Sequence, residues 1–378
     1  MKAFVNTDIY TSFKVQSEHG LLVENGKVMA ILPTAEIPSE TELIDLGGAS
    51  IAPGFVDLQV NGGGGVLFND QYDEASLKKA VEAHQRTGST SIFPTIFTGT
   101  FEAMKGLLDS AISLREGELS GVAGIHFEGP VINPSKAGVH DKNNVLSLTD
   151  ELMAFYKRSA ANLPTLVTLA PELVSMEQIS ELRNAGVLVF AGHTNASYDE
   201  MTSSLQSGIQ GATHLYNAMS GPSSREPGVV GAVLSSDEAM ASIILDGVHV
   251  HWASFRAAYK AMKPRHLFFV TDAMPCVGSD ESEFYLGPLH VFVRDGRCVT
   301  ADGVLAGSAL TMARAVKNAV QKAGVPRPEA LRMASLYPAR FADISSIGDL
   351  REGARADFVV FSGEADIRDV YIAGQKLC

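Results

Sequence analysis

Short apolar runs alternate with longer stretches of helical spacing through the middle of the chain, and most of the apolar runs end in polar residues. The pattern predicts eight strands, at residues 51–61, 91–95, 122–128, 165–170, 187–193, 211–216, 241–246 and 267–272. It predicts helices between them at residues 74–87, 101–115, 149–160, 176–184, 198–207 and 253–262. Alternating strands and helices form a parallel sheet with right-handed crossovers, so eight such units predict a closed (β/α)8 TIM-type barrel.

Both ends of the chain differ from the middle, because short β-rich runs there are broken by turns. Asn25-Gly26 separates two alternating apolar runs, which is a strong hairpin signal. We therefore expect an α/β protein in which both chain ends, residues 1–52 and 343–378, form a small β-sandwich domain. The barrel would occupy residues 53–342, with a hairpin insertion near 284–299 at its mouth.

The composition excludes several classes of protein. Of 378 residues, 46% are hydrophobic and 19% are charged, which is typical of a globular protein. The net charge of −13 argues against nucleic-acid and membrane partners, so an anionic ligand would need a local cationic pocket. No uncharged apolar run reaches the ~18 residues of a membrane span. The cysteines, Cys276, Cys298 and Cys378, have no paired spacing, and we expect a reduced, cytoplasmic protein.

Polar residues that could carry chemistry stand at the carboxyl ends of four predicted strands. They are Glu128, His193, His214 and Asp272. Because barrel strands present their carboxyl ends at one mouth, these side chains are expected to converge. Two imidazoles and a carboxylate suit a divalent transition metal such as zinc, with a coordination position left open for water. One such residue is more often an ordinary polar residue, but four on separate strands predict a catalytic mononuclear site.

Other polar residues near the mouth have two readings. Gln59 and Asn61 follow the first predicted strand and could position water or a ligand through their amides, or could simply line the mouth. His126 lies deeper on the strand that ends at Glu128, so we expect a packed histidine there.

Seven short segments, taken in order, carry a resemblance to a known family. They are Pro53-Gly54-Phe55-Val56-Asp57, Gly124-Ile125-His126-Phe127-Glu128-Gly129-Pro130, Gly192-His193-Thr194, Thr213-His214-Leu215-Tyr216-Asn217-Ala218-Met219, Arg225-Glu226-Pro227-Gly228, Asp246-Gly247-Val248-His249 and Val270-Thr271-Asp272-Ala273. Together they resemble the N-acetylglucosamine-6-phosphate deacetylases of the amidohydrolase superfamily. The resemblance covers nearly the whole chain and implies removal of acetate from a phosphorylated amino sugar, in amino-sugar catabolism and cell-wall recycling.

The resemblance implies one divalent metal ion per subunit, held by Glu128, His193 and His214. Many amidohydrolases carry His-x-His after the first strand, whereas this chain has Gln59-Val60-Asn61, so a second metal site is not expected. Zinc is the expected ion. Iron(II) or another divalent ion also suits these ligands, because imidazole and carboxylate accept several metals.

Hydrolysis of an amide needs activated water, a stabilised oxyanion and a protonated leaving nitrogen. The resemblance assigns proton transfer to Asp272 and hydrogen-bond donation to the carbonyl oxygen to His140. Without it, His140 would be read as an ordinary loop histidine.

The substrate's phosphate needs cations that the acidic chain does not supply broadly. Arg225 offers a planar fork for phosphate oxygens, and His249 follows the seventh predicted strand. The resemblance implies that these two bind the phosphate together with Asn217 and Ala218. It also implies a homodimer in which His249 reaches in from the neighbouring subunit.

Three alternatives remain at this point. The same machinery could act on N-acetylgalactosamine 6-phosphate or on a cyclic imide, as dihydroorotases do. Cyclic-imide enzymes usually keep His-x-His and a bridging lysine, and neither stands at the predicted strand ends. A non-catalytic barrel without metal would bind no stoichiometric ion.

Overall fold

The structure, a computed structural model, describes residues 1–115 and 121–377. Its centre is a sheet of eight parallel strands that are neighbours in the order of the sequence. They are Phe55–Val60, Ser89–Phe97, Ile125–Glu128, Thr165–Leu169, Leu188–Ala191, Gly211–Ala212, Met240–Ile243 and Leu267–Phe269. A bridge between Val60 and Ala273 brings the first and last strands together. The predicted TIM-type barrel is confirmed.

Both faces of the barrel strands are covered, so their polar residues are buried together with the apolar ones. Every residue of Phe55–Val60 and of Ser89–Phe97 is buried. The α-helices are Glu74–Gln85, Phe101–Arg115, Asp150–Asn162, Met176–Asn184, Tyr198–Ser207, Gly228–Ser235, Trp252–Ala261, Met312–Gln321, Arg327–Ala334 and Leu336–Phe341. Helix Gly228–Ser235 was not predicted, because it is apolar on nearly all sides and shows no helical period.

The two chain ends meet in a pair of sheets beside the barrel. One sheet has the order Lys27–Pro33, His19–Glu24, Lys2–Val5 and Glu42–Asp45. The other has the order Gln375–Lys376, Asp366–Ile372, Phe358–Ser362, Ser50–Pro53, Ile9–Tyr10 and Val15–Gln16. Phe4 of the first sheet packs edge-on against Phe358 of the second, with 4.8 Å between ring centroids. The exact domain boundaries, 1–52, 53–342 and 343–378, stay a prediction.

The first predicted strand, residues 51–61, is two strands in the structure. Ser50–Pro53 belongs to an end sheet and Phe55–Val60 to the barrel. Gly54 separates them, and a Cβ atom there would stand 2.1 Å from Thr90 Oγ1. The chain can therefore pass from one sheet to the other only where a side chain is missing.

The insertion near the barrel mouth is larger than the predicted hairpin at 284–299. It is an antiparallel sheet of four strands, Glu283–Leu286, Leu289–Arg294, Arg297–Thr300 and Leu305–Ser308. The fourth strand is short and contains Gly307 at φ +63°, so its sequence carries little β signal. Cys276 and Cys298, which have no paired spacing in sequence, bring their Sγ atoms to 3.6 Å in the core beneath this sheet. Cys378 lies outside the described residues.

Within the part of the chain that the structure describes, none of the helices has the length and apolarity needed to cross a membrane.

Candidate functional site

A cavity of about 400 Å³ opens at the carboxyl ends of the barrel strands. Nine of the predicted site residues line it: Asn61, Glu128, His140, His193, His214, Asn217, Ala218, His249 and Asp272. Gln59 is fully buried beneath the cavity, and its side chain donates hydrogen bonds to Glu128 and Asp272. Loops after several separate strands therefore build one site, as the sequence predicts.

Glu128, His193 and His214 converge at the base of the cavity. Glu128 Oε1 lies 2.8 Å from His214 Nε2 and 3.1 Å from His193 Nε2, and the two Nε2 atoms are 3.2 Å apart. Ligands held 2.0–2.1 Å from a tetrahedral zinc ion are roughly 3.3 Å from one another. The spacing of these three atoms fits a single ion of this kind.

The hydrogen bonding of His193 supports the same fit. Its Nδ1 lies 2.9 Å from the backbone oxygen of Lys136, which can only accept, so Nδ1 carries the proton. In the neutral ring, Nε2 then turns its lone pair toward the carboxylate of Glu128. Two electron-rich atoms at this distance repel unless a proton or a cation lies between them. Metal-binding histidines commonly donate their other N–H to a backbone carbonyl in this way.

His140 is close enough to join the cluster. Ligand atoms of Glu128, His140 and His193 lie within 4.8 Å of one another, which makes these three a group that could hold a metal ion. The His140 ring lies 4.1 Å from the His193 ring between centroids, and its Nδ1 is 2.7 Å from Thr98 Oγ1. The remaining nitrogen, Nε2, is thereby left for the cavity. The role of His140 as a donor to the substrate remains a prediction.

Burial and the contacts within the cluster shift the pKa values of Glu128, His140 and His214. Burial disfavours the ionised form of Glu128, but its close contacts with His193 and His214 outweigh burial and hold the pKa of Glu128 well below its usual value. Burial also opposes charge on His214, yet Glu128 raises the pKa of His214 above the usual value. Burial, reinforced by the nearby His193, lowers the pKa of His140 well below its usual value, so that ring is neutral.

Asp272 lies near Glu128 in the same cavity and is held by amides. Its Oδ1 accepts hydrogen bonds from Asn61 Nδ2 at 2.6 Å and from Gln59 Nε2 at 3.1 Å. Burial, with the charge of Glu128 as the next cause, raises the pKa of Asp272 to about 6. A carboxyl with a pKa in this range can take up and release a proton near neutral pH.

Among Glu128, His193, His214 and Asp272, the last three have an unusual backbone conformation. His193, His214 and Asp272 have φ values of +47°, +35° and +55°, a left-handed conformation that residues other than glycine rarely adopt. Each follows the last residue of its strand by one or more positions. The chain is therefore bent sharply where each side chain must enter the cavity, and such strain is often found at functional sites.

The expected phosphate-binding residues are only partly brought together. Arg225 is exposed on the loop before helix Gly228–Ser235 and does not line the cavity of its own chain. His249 was expected to enter from a neighbouring subunit, but here it lines the cavity of its own chain. The reason is local: Asp246 Oδ2 holds His249 Nδ1 at 2.6 Å and fixes the ring inside the same loop.

Two residues near the cavity were missed. Thr98, the partner of His140, follows strand Ser89–Phe97, whose end was predicted at residue 95. With the strand end placed correctly at Phe97, Thr98 would have been recognised as a polar residue at the barrel mouth. Lys136 lines the cavity and is part of the same loop as His140, and its charge in an acidic chain was the available signal. His126 is fully buried, as expected, and its Nε2 lies 2.8 Å from Thr168 Oγ1.

Comparison with known proteins gives consistent results. Residues 50–377 match the model of the Amidohydrolase family, and residues 1–51 match the NagA composite domain. The chain is 37% identical to an N-acetylgalactosamine-6-phosphate deacetylase of Shewanella sp. (strain ANA-3), over 96% of this chain and 92% of that one. It is 34% identical to an N-acetylglucosamine-6-phosphate deacetylase of Haemophilus influenzae, over 99% and 98%. The crystal structure of N-acetylglucosamine-6-phosphate deacetylase from Pasteurella multocida superposes with a TM-score of 0.95 at 37% identity, over 100% and 99%.

Proposed function

The chain belongs to the amidohydrolase family, and from this premise we propose that it hydrolyses the acetamide of N-acetyl-D-glucosamine 6-phosphate to D-glucosamine 6-phosphate and acetate. The observation that carries the proposal is the meeting of Glu128, His193 and His214 with Asp272 around one cavity. Full-length relatives that carry this activity in their names support the choice of substrate.

We propose that Glu128, His193 and His214 hold one divalent ion, with zinc as the first candidate and iron(II) as the second. Their Nε2 and Oε1 atoms, 2.8–3.2 Å apart, support this set. When bound, such an ion lowers the pKa of water and polarises the substrate carbonyl. His140 lies near enough to be a further ligand, so its role needs a separate test.

The protein's own groups then have distinct tasks. Asp272 would accept the proton of the attacking water at Oδ2, since Oδ1 is occupied by the amides of Asn61 and Gln59, and would return it to the leaving nitrogen. His140, neutral and fixed by Thr98, would donate from Nε2 to the carbonyl oxygen as negative charge develops there.

At the phosphate end of the substrate, Asn217, Ala218 and His249 are proposed to bind the phosphate, because they line the cavity beside the cluster. Arg225 would take part only if it came from another chain, since it is exposed and away from its own cavity. This distribution supports a homodimer, which we propose together with a cytoplasmic location. His249, held by Asp246, would then serve its own chain.

The galacto epimer is a second candidate substrate, because the Shewanella relative is named for it. Both epimers share the acetamide and the phosphate, so they differ only in the contact at C4.

The proposal is tested by measuring acetate release from N-acetylglucosamine 6-phosphate, its galacto epimer and unphosphorylated N-acetylglucosamine. The assay is repeated after chelation and after readdition of zinc or iron(II). We expect preference for the phosphorylated gluco sugar, loss of activity on chelation, and recovery with metal. Equal activity before and after complete metal removal would contradict the metal-dependent mechanism.

A further inference from the structure

The cavity has an unexplained cation at its edge. Among the described lining residues, Lys136 is the one lysine or arginine. It lies at the end of the short 3-10 helix Pro134–Lys136 and is half-buried. Its Nζ is 3.4 Å from the backbone oxygen of Met219, and among the described residues no carboxylate forms an ion pair with it. A half-buried ammonium without a nearby counter-charge is poised for an anionic partner.

The position of that ammonium is informative. Met219 directly follows Asn217 and Ala218, the residues that we place at the phosphate end of the substrate. Lys136 therefore reaches across the cavity to the segment where the phosphate would lie. The rest of the cavity offers the opposite charge, since Glu128 and Asp272 stand at its base. A sugar phosphate entering an acidic chain needs a local cation to offset this repulsion.

The main chain of Lys136 is fixed while its side chain is only weakly held. Its backbone oxygen receives the Nδ1–H of His193, and Asn133 caps the turn that leads to it by accepting from Ser135 N. The side chain has one long hydrogen bond, to Met219. The ammonium can thus move to an arriving phosphate without disturbing the backbone contact that orients His193.

We propose that Lys136 is a specificity-determining residue that binds the substrate's phosphate within its own chain. The inference rests on the proposed function but not on the oligomeric state. It differs from the expectation for Arg225, which is exposed outside the cavity of its own chain. Lysine contacts phosphate as a point charge, so the interaction tolerates the mobility of the side chain.

The test compares Lys136→Met with wild type on N-acetylglucosamine 6-phosphate and on the unphosphorylated sugar, using full-length metal-loaded protein. A hydrogen bond to a charged group is worth enough that its loss changes affinity by about tenfold or more. We expect KM for the phosphorylated sugar to rise by about that factor, with kcat and the metal content little changed. Hydrolysis of the unphosphorylated sugar should be unaffected, and inorganic phosphate should inhibit the variant more weakly.

Two further variants keep the test decisive. Lys142→Met, on the exposed turn Lys142–Asn144 of the same loop, removes an equal charge away from the cavity and should behave as wild type. Lys136→Arg keeps the charge and should retain most of the low KM. An unchanged KM in Lys136→Met, or equal losses in the Met and Arg variants, would overturn the inference. If wild-type protein releases no acetate from either phosphosugar, the proposed function fails instead.

Discussion

The cavity has two carboxylates at its base, Glu128 and Asp272, and their surroundings differ. Glu128 faces two imidazoles, and its contacts with them overcome burial and lower its pKa well below the usual value. Asp272 faces the amides of Asn61 and Gln59, which carry no charge, and burial raises its pKa to about 6. The same functional group is therefore ionised at Glu128 and close to its titration point at Asp272.

This difference indicates a division of labour. A permanently ionised carboxylate beside imidazole lone pairs suits a cation, whereas a carboxyl that titrates near neutrality suits proton transfer. Gln59 connects the two carboxylates, because its Nε2 lies 3.1 Å from Glu128 Oε1 and 3.1 Å from Asp272 Oδ1. The amide donates to both carboxylates without adding a charge of its own.

The largest effect should come from Glu128→Gln. The change removes the negative charge and places an amide where an anionic ligand is needed, so we expect loss of stoichiometric metal and no measurable turnover. Metal content by elemental analysis and acetate release check it. Glu151→Gln, on the exposed side of helix Asp150–Asn162, is the control. Full metal content in Glu128→Gln would remove Glu128 from the ligand set.

Asp272→Asn should separate proton transfer from metal binding. The amide cannot accept a proton, so kcat should fall roughly 10²- to 10⁴-fold, the usual contribution of acid–base catalysis. Metal content and substrate binding should stay near wild type, because Glu128 and the histidines are untouched. The measurement combines steady-state kinetics with calorimetric binding. Near-normal kcat would show that another group transfers the proton.

A smaller effect is expected from Thr98→Val. It removes the hydroxyl that lies 2.7 Å from His140 Nδ1, so the ring loses its fixed orientation. By analogy with residues that orient metal ligands, we expect a decrease of roughly 10- to 100-fold in kcat/KM. Thr98→Ser keeps the hydroxyl and should retain most activity. Loss of metal together with activity would instead favour His140 as a ligand.

The smallest effect concerns pH. Asp272 must be ionised to act as a base, so activity should fall as the pH drops through the pKa of Asp272, which burial raises to about 6. Asn61→Ala removes a hydrogen bond to the ionised form and should move this acid limb to higher pH. The kcat/KM profile of both proteins checks the direction. A shift to lower pH would contradict the assignment.

Much of this arrangement was predictable because it follows from strand ends. A run of buried, mostly apolar residues predicts a barrel strand, and polar residues at its carboxyl end must lie at the mouth, as Glu128, the last residue of Ile125–Glu128, does. Asp272 was found in the same way, although its strand ends earlier than predicted, at Phe269. The residue types at these ends also indicated the chemistry, because two imidazoles and two carboxylates at the ends of four strands suit metal binding and proton transfer.

What the sequence did not reveal depends on loops and on distance. Lys136 and Thr98 gain significance only through contacts with Met219 and His140, which no local pattern encodes. His249 was assigned to a neighbouring subunit because its hydrogen bond to Asp246 could not be foreseen. Helix Gly228–Ser235 was not predicted because its apolar residues show no helical period. The insertion was predicted too small because its fourth strand, Leu305–Ser308, is short and contains a glycine.

The last barrel strand, Leu267–Phe269, is short, and Asp272 is positioned mainly by the beginning of the barrel. Its N–H donates to the oxygen of Gln59 at 2.9 Å, and Thr271 Oγ1 donates to the buried Asp57 at 2.5 Å. A refolding chain could therefore form every other strand pair and still be inactive. During refolding, the recovery of turnover would therefore follow the step at which the first and last strands pair and close the barrel.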